Sequence, residues 1–390
     1  MSERVDYVVV GLGALGSAAA MELAGRGHSV VGLERFELGH SRGASHDTSR
    51  ILRHSYHTPD YVRLTQRAYA DWARLEHDAD ASLVTVVGGL DLFPADAAIN
   101  PVDYLTSLDA VGIAYDWLDV DAVRQRWPQF RLPEGTMALH QADAAIVPAG
   151  RGTRVMQEQA RRRGADLRER SAVLAVRDLG ERGYEVATVH GPVLCSGLVV
   201  CADAWVNDVL EGLGVQVPVE VTLEQVTYFQ PDDATPFQPG RMPLWIWMDD
   251  PSYYGFPSYG EPTVKAAQDC GGPTVHPDRR TTDVDPAMES LLAQHLQAML
   301  PGVGHPVRSL RCQYTLTPDR DFVLSPVPGH ERVVVGLGAA HGFKFAPTFG
   351  RLLADLVVGG PAPDADLDLS AFRLDRAALT DPDYQAHWLV

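Results

Sequence analysis

Cys312 lies in the polar stretch Arg311-Cys-Gln-Tyr-Thr-Leu-Thr-Pro-Asp319 and is one of 4 cysteines in 390 residues. A cysteine attacks as its thiolate, so reactivity at this position asks for nearby cations that lower its pKa. The plainer reading of a lone cysteine is an inert buried thiol. Cys195, Cys201, Cys270 and Cys312 form no C-x-x-C pair, which argues against a zinc site and a disulfide scaffold and makes a reducing cytoplasm the expected location.

Gly11-Leu-Gly-Ala-Leu-Gly16 is a G-x-G-x-x-G turn. Its first glycine permits a tight turn, Gly13 lets backbone approach a pyrophosphate, and Gly16 allows close helix packing, with phosphate on the helix N-terminus. Glu34 ends the next strand-like run, near the ~20-residue offset of an acid that takes a ribose diol. This turn alone leaves NAD and FAD open. Arg50 and Arg53, three apart in Ser45-His-Asp-Thr-Ser-Arg-Ile-Leu-Arg-His-Ser-Tyr-His57, share one face if the segment is a helical turn, where guanidinium groups grip a carboxylate in bidentate fashion. A solvated basic surface turn is the alternative. His54 and His57 read as hydrogen-bonded structural groups, and no metal is expected.

These residues need a frame. Asp6–Val10 reads as a strand, Ser17–Arg26 as a helix and His28–Glu34 as a second strand, a βαβ unit at the start of the chain. Arg63–Glu76 has helical spacing, Val84–Phe93 reads as strands broken by a glycine pair, and Pro101–Trp127 as helix in two pieces. A basic amphipathic helix is expected over Thr153–Arg163, then short alternating strands over Leu174–Ala202. Aromatic β segments follow between Pro218 and Lys265, where Trp245 and Trp247 share a face and read as core. A helix over Pro286–Leu300, a strand over Arg332–Gly336, a glycine-rich turn and a helix over Ala346–Val358 close the chain. Two nucleotide-style turns at opposite ends imply one domain assembled from separated segments, with a second inserted between them.

At this level the sequence resembles the monomeric sarcosine oxidase family of FAD-dependent amine oxidases, which includes N-methyltryptophan oxidase and pipecolate oxidase. Five landmarks carry the resemblance in order over nearly the whole chain: GLGALG, SHDTSRILRHSYH, YGFPSYG followed by Lys265, Cys312-Gln-Tyr-Thr, and His341-Gly-Phe-Lys344. The resemblance implies that Cys312 bonds through sulfur to the 8α-methyl of the flavin, with Arg50 or Lys344 supplying the charge that Arg311, pointing away in a strand, does not. It implies that Arg53 and Lys344 clamp a substrate carboxylate, that Arg50 lies near the flavin ring, and that Tyr254 and Tyr314 line the pocket. Lys265 is implied as the group that activates oxygen; without the resemblance it reads as a surface lysine. Backbone N–H groups around Gly338 and Gly342 are expected to face the flavin's pyrimidine end, unless this is a second Rossmann-like turn without chemistry.

The expected fold class is α/β, a Rossmann-like FAD-binding domain from discontinuous segments (1–80, 146–216 and 311–390) with an inserted β-rich α+β substrate domain (81–145 and 217–310). Apolar residues at 45%, charged residues at 22% and a net charge of −18 describe a globular chain poorly suited to nucleic acid or an anionic membrane. No apolar run approaches the ~18 residues of a membrane span, and the N-terminus lacks the marks of a signal peptide. The expected activity is oxidation of a secondary amine or N-methyl amino acid to an imine, oxygen being reduced to hydrogen peroxide by a monomer with a small-molecule amine as partner. Asp269 stands where sarcosine-acting members carry histidine, which puts sarcosine in question and turns attention to a cationic or polar substrate group. Alternatives are an oxidase of a cyclic imino acid in a biosynthetic pathway, an FAD-dependent amino acid dehydrogenase with another acceptor, a nicotinamide-dependent dehydrogenase, and a flavin-binding protein without turnover.

Overall fold

The computed structural model describes residues 3–359 and 367–387. The strands Asp166–Arg168, Val30–Leu33, Glu3–Val10, Gly191–Val200 and His330–Leu337 lie side by side in parallel. Their sequences, such as YVVV, LVV and RVVV, are near-continuous β-branched runs because both faces of this sheet are covered. Antiparallel strands finish its edges: Val323–Val327 beside His330–Leu337, and Val173–Asp178 with Tyr184–Thr188 beside the first half of Gly191–Val200.

The helix Ala14–Gly25 is apolar around nearly its whole circumference and buried over ten of its residues. It packs on the closing helix Ala346–Val358 so closely that a Cβ on Gly350 would stand 2.4 Å from the Ala18 Cβ. Small residues at both positions let the two helices touch by their backbones. Helix Pro59–Ala79 starts at a capping Thr58 hydroxyl with Pro59 in its first turn, earlier than the apolar spacing alone indicates.

The second sheet has eight strands, in the order His305–Leu316, Glu220–Gln230, Val264–Asp269, Ser252–Phe256, Leu244–Trp247, Gly89–Phe93, Met137–Gln141, Asp116–Asp119. Alternation divides its residues cleanly. Leu90, Leu92, Trp245, Val264, Ala266 and Phe229 point to a core shared with helix Pro286–Met299, where Trp245 is fully buried as expected. The register places Asp91 beside Ile246, Ile246 beside Tyr254, Tyr254 beside Ala267, Val226 beside Ala267, and Glu224 beside Cys312, so these share the opposite face.

Two element expectations change. The strand Asp116–Asp119 separates the helices Pro101–Val111 and Val120–Arg126, because Asp116-Trp-Leu-Asp119 pairs with Met137–Gln141 where helical spacing had covered it. The expected domain boundary at 311 falls inside the strand His305–Leu316, which pairs along its length with Glu220–Gln230. No described helix is long and apolar enough to cross a membrane.

Candidate active site

Gly11 has φ +86°, and a Cβ there would stand 2.4 Å from the Cys201 carbonyl oxygen; a Cβ on Gly16 would stand 1.9 Å from the Gly11 carbonyl oxygen. Both positions therefore require glycine. A Cβ on Gly13 would meet only the Ser45 hydroxyl, at 3.0 Å, and that hydroxyl accepts the Ala14 N–H at 2.9 Å. Glu34 accepts from the N–H groups of Leu12 (2.9 Å) and Phe36 (3.0 Å) and faces the His40 imidazole at 3.3 Å. Burial alone would push its carboxyl up, but His40 and the two N–H groups hold it below the usual range.

The second turn leaves His330–Leu337, passes Gly338, Ala339 (φ +41°), Ala340 (φ +70°) and His341, and enters a 3₁₀ turn, Gly342–Phe345, before helix Ala346–Val358 begins. Gly338 and Gly342 face each other, a Cβ on the former lying 3.2 Å from the Cα of the latter. Both turns border one cavity of about 920 Å³, whose walls also include Glu34, Ser45, Arg50 and Cys312. That volume suits a ligand of dinucleotide size.

Cys312 is buried on the cavity-facing side of the second sheet. Burial pushes its thiol up to about 11, with Arg50 and Lys265 pulling it down and Glu224 opposing them. Arg50, one of the two cations the sequence pointed to, is the foremost charge pulling the thiol down, and Lys265 adds to it. Arg311 points to the other side, donating to the Gln225 side chain (3.2 Å) and the Leu223 carbonyl (3.0 Å). Lys265 lines neither cavity described here. Its ammonium meets Asp47 at 2.6 Å and donates to the Ser49 carbonyl at 3.1 Å. Burial lowers its pKa to about 8, with Asp47 resisting, and Lys265 in turn holds the Asp47 carboxyl down at about 2 against its own burial.

A smaller cavity of about 110 Å³ adjoins the first through shared walls at Arg50, Tyr254, Tyr314 and Phe343. The two tyrosine hydroxyls stand 3.3 Å apart. Arg53, Arg320, Lys344 and Asp269 join Arg50 as the charged lining of this cavity, with Tyr56, Ser252 and His341 among the other polar residues. Arg50 and Arg53 do not lie on a helical turn: Arg50–Leu52 is a strand, paired with Ala145–Val147, and Arg53 follows it. The arginines still reach one cavity because it wraps the end of this strand. Arg53 donates to Asp91 at 2.6 Å and to the Ser55 hydroxyl at 3.1 Å. Lys344 donates to the Tyr56 hydroxyl at 2.8 Å and the His341 carbonyl at 2.9 Å, and burial, then Arg53 and Arg320, hold its ammonium well below the ordinary lysine range. Asp269 does not bring a bare negative charge, since buried Arg320 pairs with it at 2.7 Å. The cavity holds four cationic side chains against Asp269 in its lining and Asp91 behind Arg53, a field suited to an anionic group.

Sequence reasoning missed Asp91, Arg320, Tyr56, Asp47 and Ser45. Asp91 carried a signal: it is the one acid in the alternating strand Gly89–Phe93. Arg320 sits at φ +60° in a turn after the Cys312 strand, and nothing in TPDRD marks it.

Residues 6–356 match the family model described as FAD dependent oxidoreductase. The chain belongs to the FAD dependent oxidoreductase family. It is 33% identical to a monomeric sarcosine oxidase of Streptomyces avermitilis, over 92% of this chain and 95% of that one. It is 28% identical to an N-methyl-L-tryptophan oxidase of Shigella flexneri, over 96% and 99%. Among solved structures it is similar to NikD, an unusual amino acid oxidase essential for nikkomycin biosynthesis, in its open form, with a TM-score of 0.84 and 28% identity over 100% of this chain and 99% of that one. FAD is therefore the dinucleotide of this family, and a nicotinamide-dependent dehydrogenase, which the first glycine turn alone permits, is set aside. The residues present fit FAD: Gly11 and Gly13 of the first turn line the large cavity together with Glu34, the buried acid that follows the adjacent strand Val30–Leu33.

Proposed function

We propose that this flavoenzyme oxidises a secondary amine or N-methyl amino acid to the imine. The observation that carries this reading is the small cationic cavity, which adjoins the dinucleotide cavity across Tyr254 and Tyr314. Arg53 and Lys344 grip the substrate carboxylate, while Asp91 fixes the Arg53 guanidinium and Tyr56 the Lys344 ammonium. With the carboxylate anchored, the carbon beside nitrogen is held toward the larger cavity, and orientation is the main contribution of these side chains. Bound FAD would accept the two electrons and the hydrogen lost from the C–H bond beside nitrogen, the N–H proton leaving as the C–N bond becomes double, and oxygen would then take the electrons to give hydrogen peroxide. Water then hydrolyses the imine to an amine and a carbonyl compound.

Arg50 lies beside the ring, Lys265 provides the positive charge that favours electron transfer to oxygen, and Tyr254 and Tyr314 wall the reaction volume. Gly11, Gly13, Gly16 and Glu34 would hold the adenosine and pyrophosphate, Gly338 and Gly342 the far end, and Cys312 would supply the sulfur for a covalent link. The parallel-sheet segments form the FAD-binding lobe, and the second sheet forms the substrate lobe over it. A cytoplasmic location is supported by the four free cysteines.

A second reading, a cyclic imino acid as substrate, is favoured by the Asp269–Arg320 pair at the small cavity, which offers a carboxylate oxygen to a ring N–H. Peroxide release and oxygen consumption are measured with a panel of N-methyl and cyclic amino acids. Turnover by the N-methyl set supports the first reading and turnover confined to cyclic substrates the second. Reduction of the bound flavin by substrate without oxygen consumption points to a dehydrogenase, and no reduction by any amine overturns the proposal.

A further inference from the structure

Beside the substrate clamp, the larger cavity has a second polar feature that the proposed reaction does not use. Gln313 and Thr315 are 0% and 1% exposed, yet neither amide atom of Gln313 nor the Thr315 Oγ1 has a hydrogen-bond partner. Asp203 Oδ2 is likewise solvent-inaccessible and unpartnered. Burial pushes the Asp203 carboxyl above its usual range, and Thr315 and Gln313 oppose that shift from close by, without contacts that reach hydrogen-bond geometry. All three residues line the dinucleotide cavity. Buried polar groups are satisfied in the great majority of cases, so convergence of these calls for a ligand with matching groups.

Backbone conformation gives an independent sign. Asp203 has φ +48°, a left-handed conformation that non-glycine residues adopt infrequently and that clusters at functional sites. It follows the Gly191–Val200 strand, where the Cys201 carbonyl and the Ala202 Cα press on Gly11 at 2.4 and 3.1 Å from its would-be Cβ. Gln313 and Thr315 alternate with Cys312 along the strand His305–Leu316 and so stand on its other side, toward Asp203. The notch therefore lies between the glycine turn and the strand that carries the thiol.

A carboxylate accepts, a primary amide donates and accepts, and a hydroxyl does both, so together they suit a ligand bearing adjacent hydroxyls. A phosphate is disfavoured by the carboxylate, and a flat ring has too few donors. We infer that Asp203, Gln313 and Thr315 form a polyol subsite that receives the ribityl hydroxyls of FAD. The choice of ribityl over the adenosine ribose rests on the proposed link at Cys312 and on Glu34 standing at the other strand end.

Apoprotein from flavin-starved cells, carrying Cys312→Ala so that binding stays reversible, is titrated with FAD by fluorescence, and in parallel with ADP, which shares the adenosine and pyrophosphate but lacks the ribityl chain. Asp203→Gly and Gln313→Leu are expected to weaken FAD about tenfold or more and ADP less than about twofold. Asp203→Gly suits the left-handed backbone, so its apoprotein is expected to melt no lower than the parent, which separates lost binding from lost folding. Unchanged FAD affinity in both variants overturns the subsite and leaves an internally hydrated notch. Equal losses for FAD and ADP overturn the ribityl assignment. Parent protein that takes up FAD but releases no peroxide from any amine refutes the proposed function and leaves the subsite standing.

Discussion

The Lys265 ammonium and the Asp47 carboxylate stand 2.6 Å apart with 4% of each side chain exposed, and the Tyr228 hydroxyl donates to the other oxygen of Asp47 at 2.5 Å. A lysine so enclosed keeps its proton only through this partner. With its pKa at about 8, its charge declines as pH rises through that value. If Lys265 serves the oxygen reaction, flavin reoxidation in stopped flow slows above pH ~8 while reduction by amine does not follow the same profile. Lys265→Met is expected to slow reoxidation by roughly a hundredfold, and Asp47→Asn to shift the pH break downward. A flat profile in the parent protein argues against the assignment.

The Cys312 thiol, at about 11, is overwhelmingly protonated at neutral pH, and its thiolate fraction grows as pH rises toward that value. Covalent incorporation of FAD into apoprotein should accordingly accelerate from pH 7 to pH 9, measured as colour retained after acid precipitation. Cys312→Ala should release all colour under the same treatment. Colour retained by that variant would falsify the proposed link.

Arg53 and Asp91 form a buried pair with side chains 9% and 3% exposed. Arg53→Met strands the carboxylate, and a loss of about 3–5 kcal/mol in unfolding free energy is expected by denaturant titration. Replacing both partners, Arg53→Met with Asp91→Leu, should recover much of that stability while substrate affinity stays lost. An unaltered KM for an amino acid in either variant would remove Arg53 from the clamp.

Lys344 is held well below the ordinary lysine range by burial and by Arg53 and Arg320, and a bound carboxylate opposes all three causes. A carboxylate inhibitor should therefore bring a proton into the site. Calorimetry in buffers of different ionisation enthalpy is expected to show net proton uptake on binding in the parent and less in Lys344→Met. Buffer-independent heats would count against Lys344 as the group that meets the carboxylate.

The frame was legible where one physical rule dominates. Gly11 and Gly16 stand where backbone crowding admits nothing larger, and the Ala346–Val358 helix begins and ends as its pattern indicated. Trp245 followed from alternation alone. The site was less legible because its polar members answer to partners far along the chain. Asp269 reads from sequence as a pocket acid that would attract a cationic or polar group, and Arg320, 51 positions away, is the partner the sequence did not show. Arg50 and Arg53 have a spacing that fits a helical turn, and pairing with Ala145–Val147 decides for a strand. The alternation of the second sheet held the missing signal for Asp91, but only once the face opposite the apolar core is known to look onto the cofactor cavity.

The order of the parallel sheet also bears on biosynthesis. Glu3–Val10 is translated well before Gly191–Val200, its neighbour, which itself pairs with His330–Leu337. The first glycine turn is thus an unfinished half until His330–Leu337 has been made, and such long sequence separations make folding slow. A ribosome stalled before residue 330 would hold a nascent chain with the fingerprint of a flavoprotein and no place for the flavin, so cofactor capture follows the making of that strand.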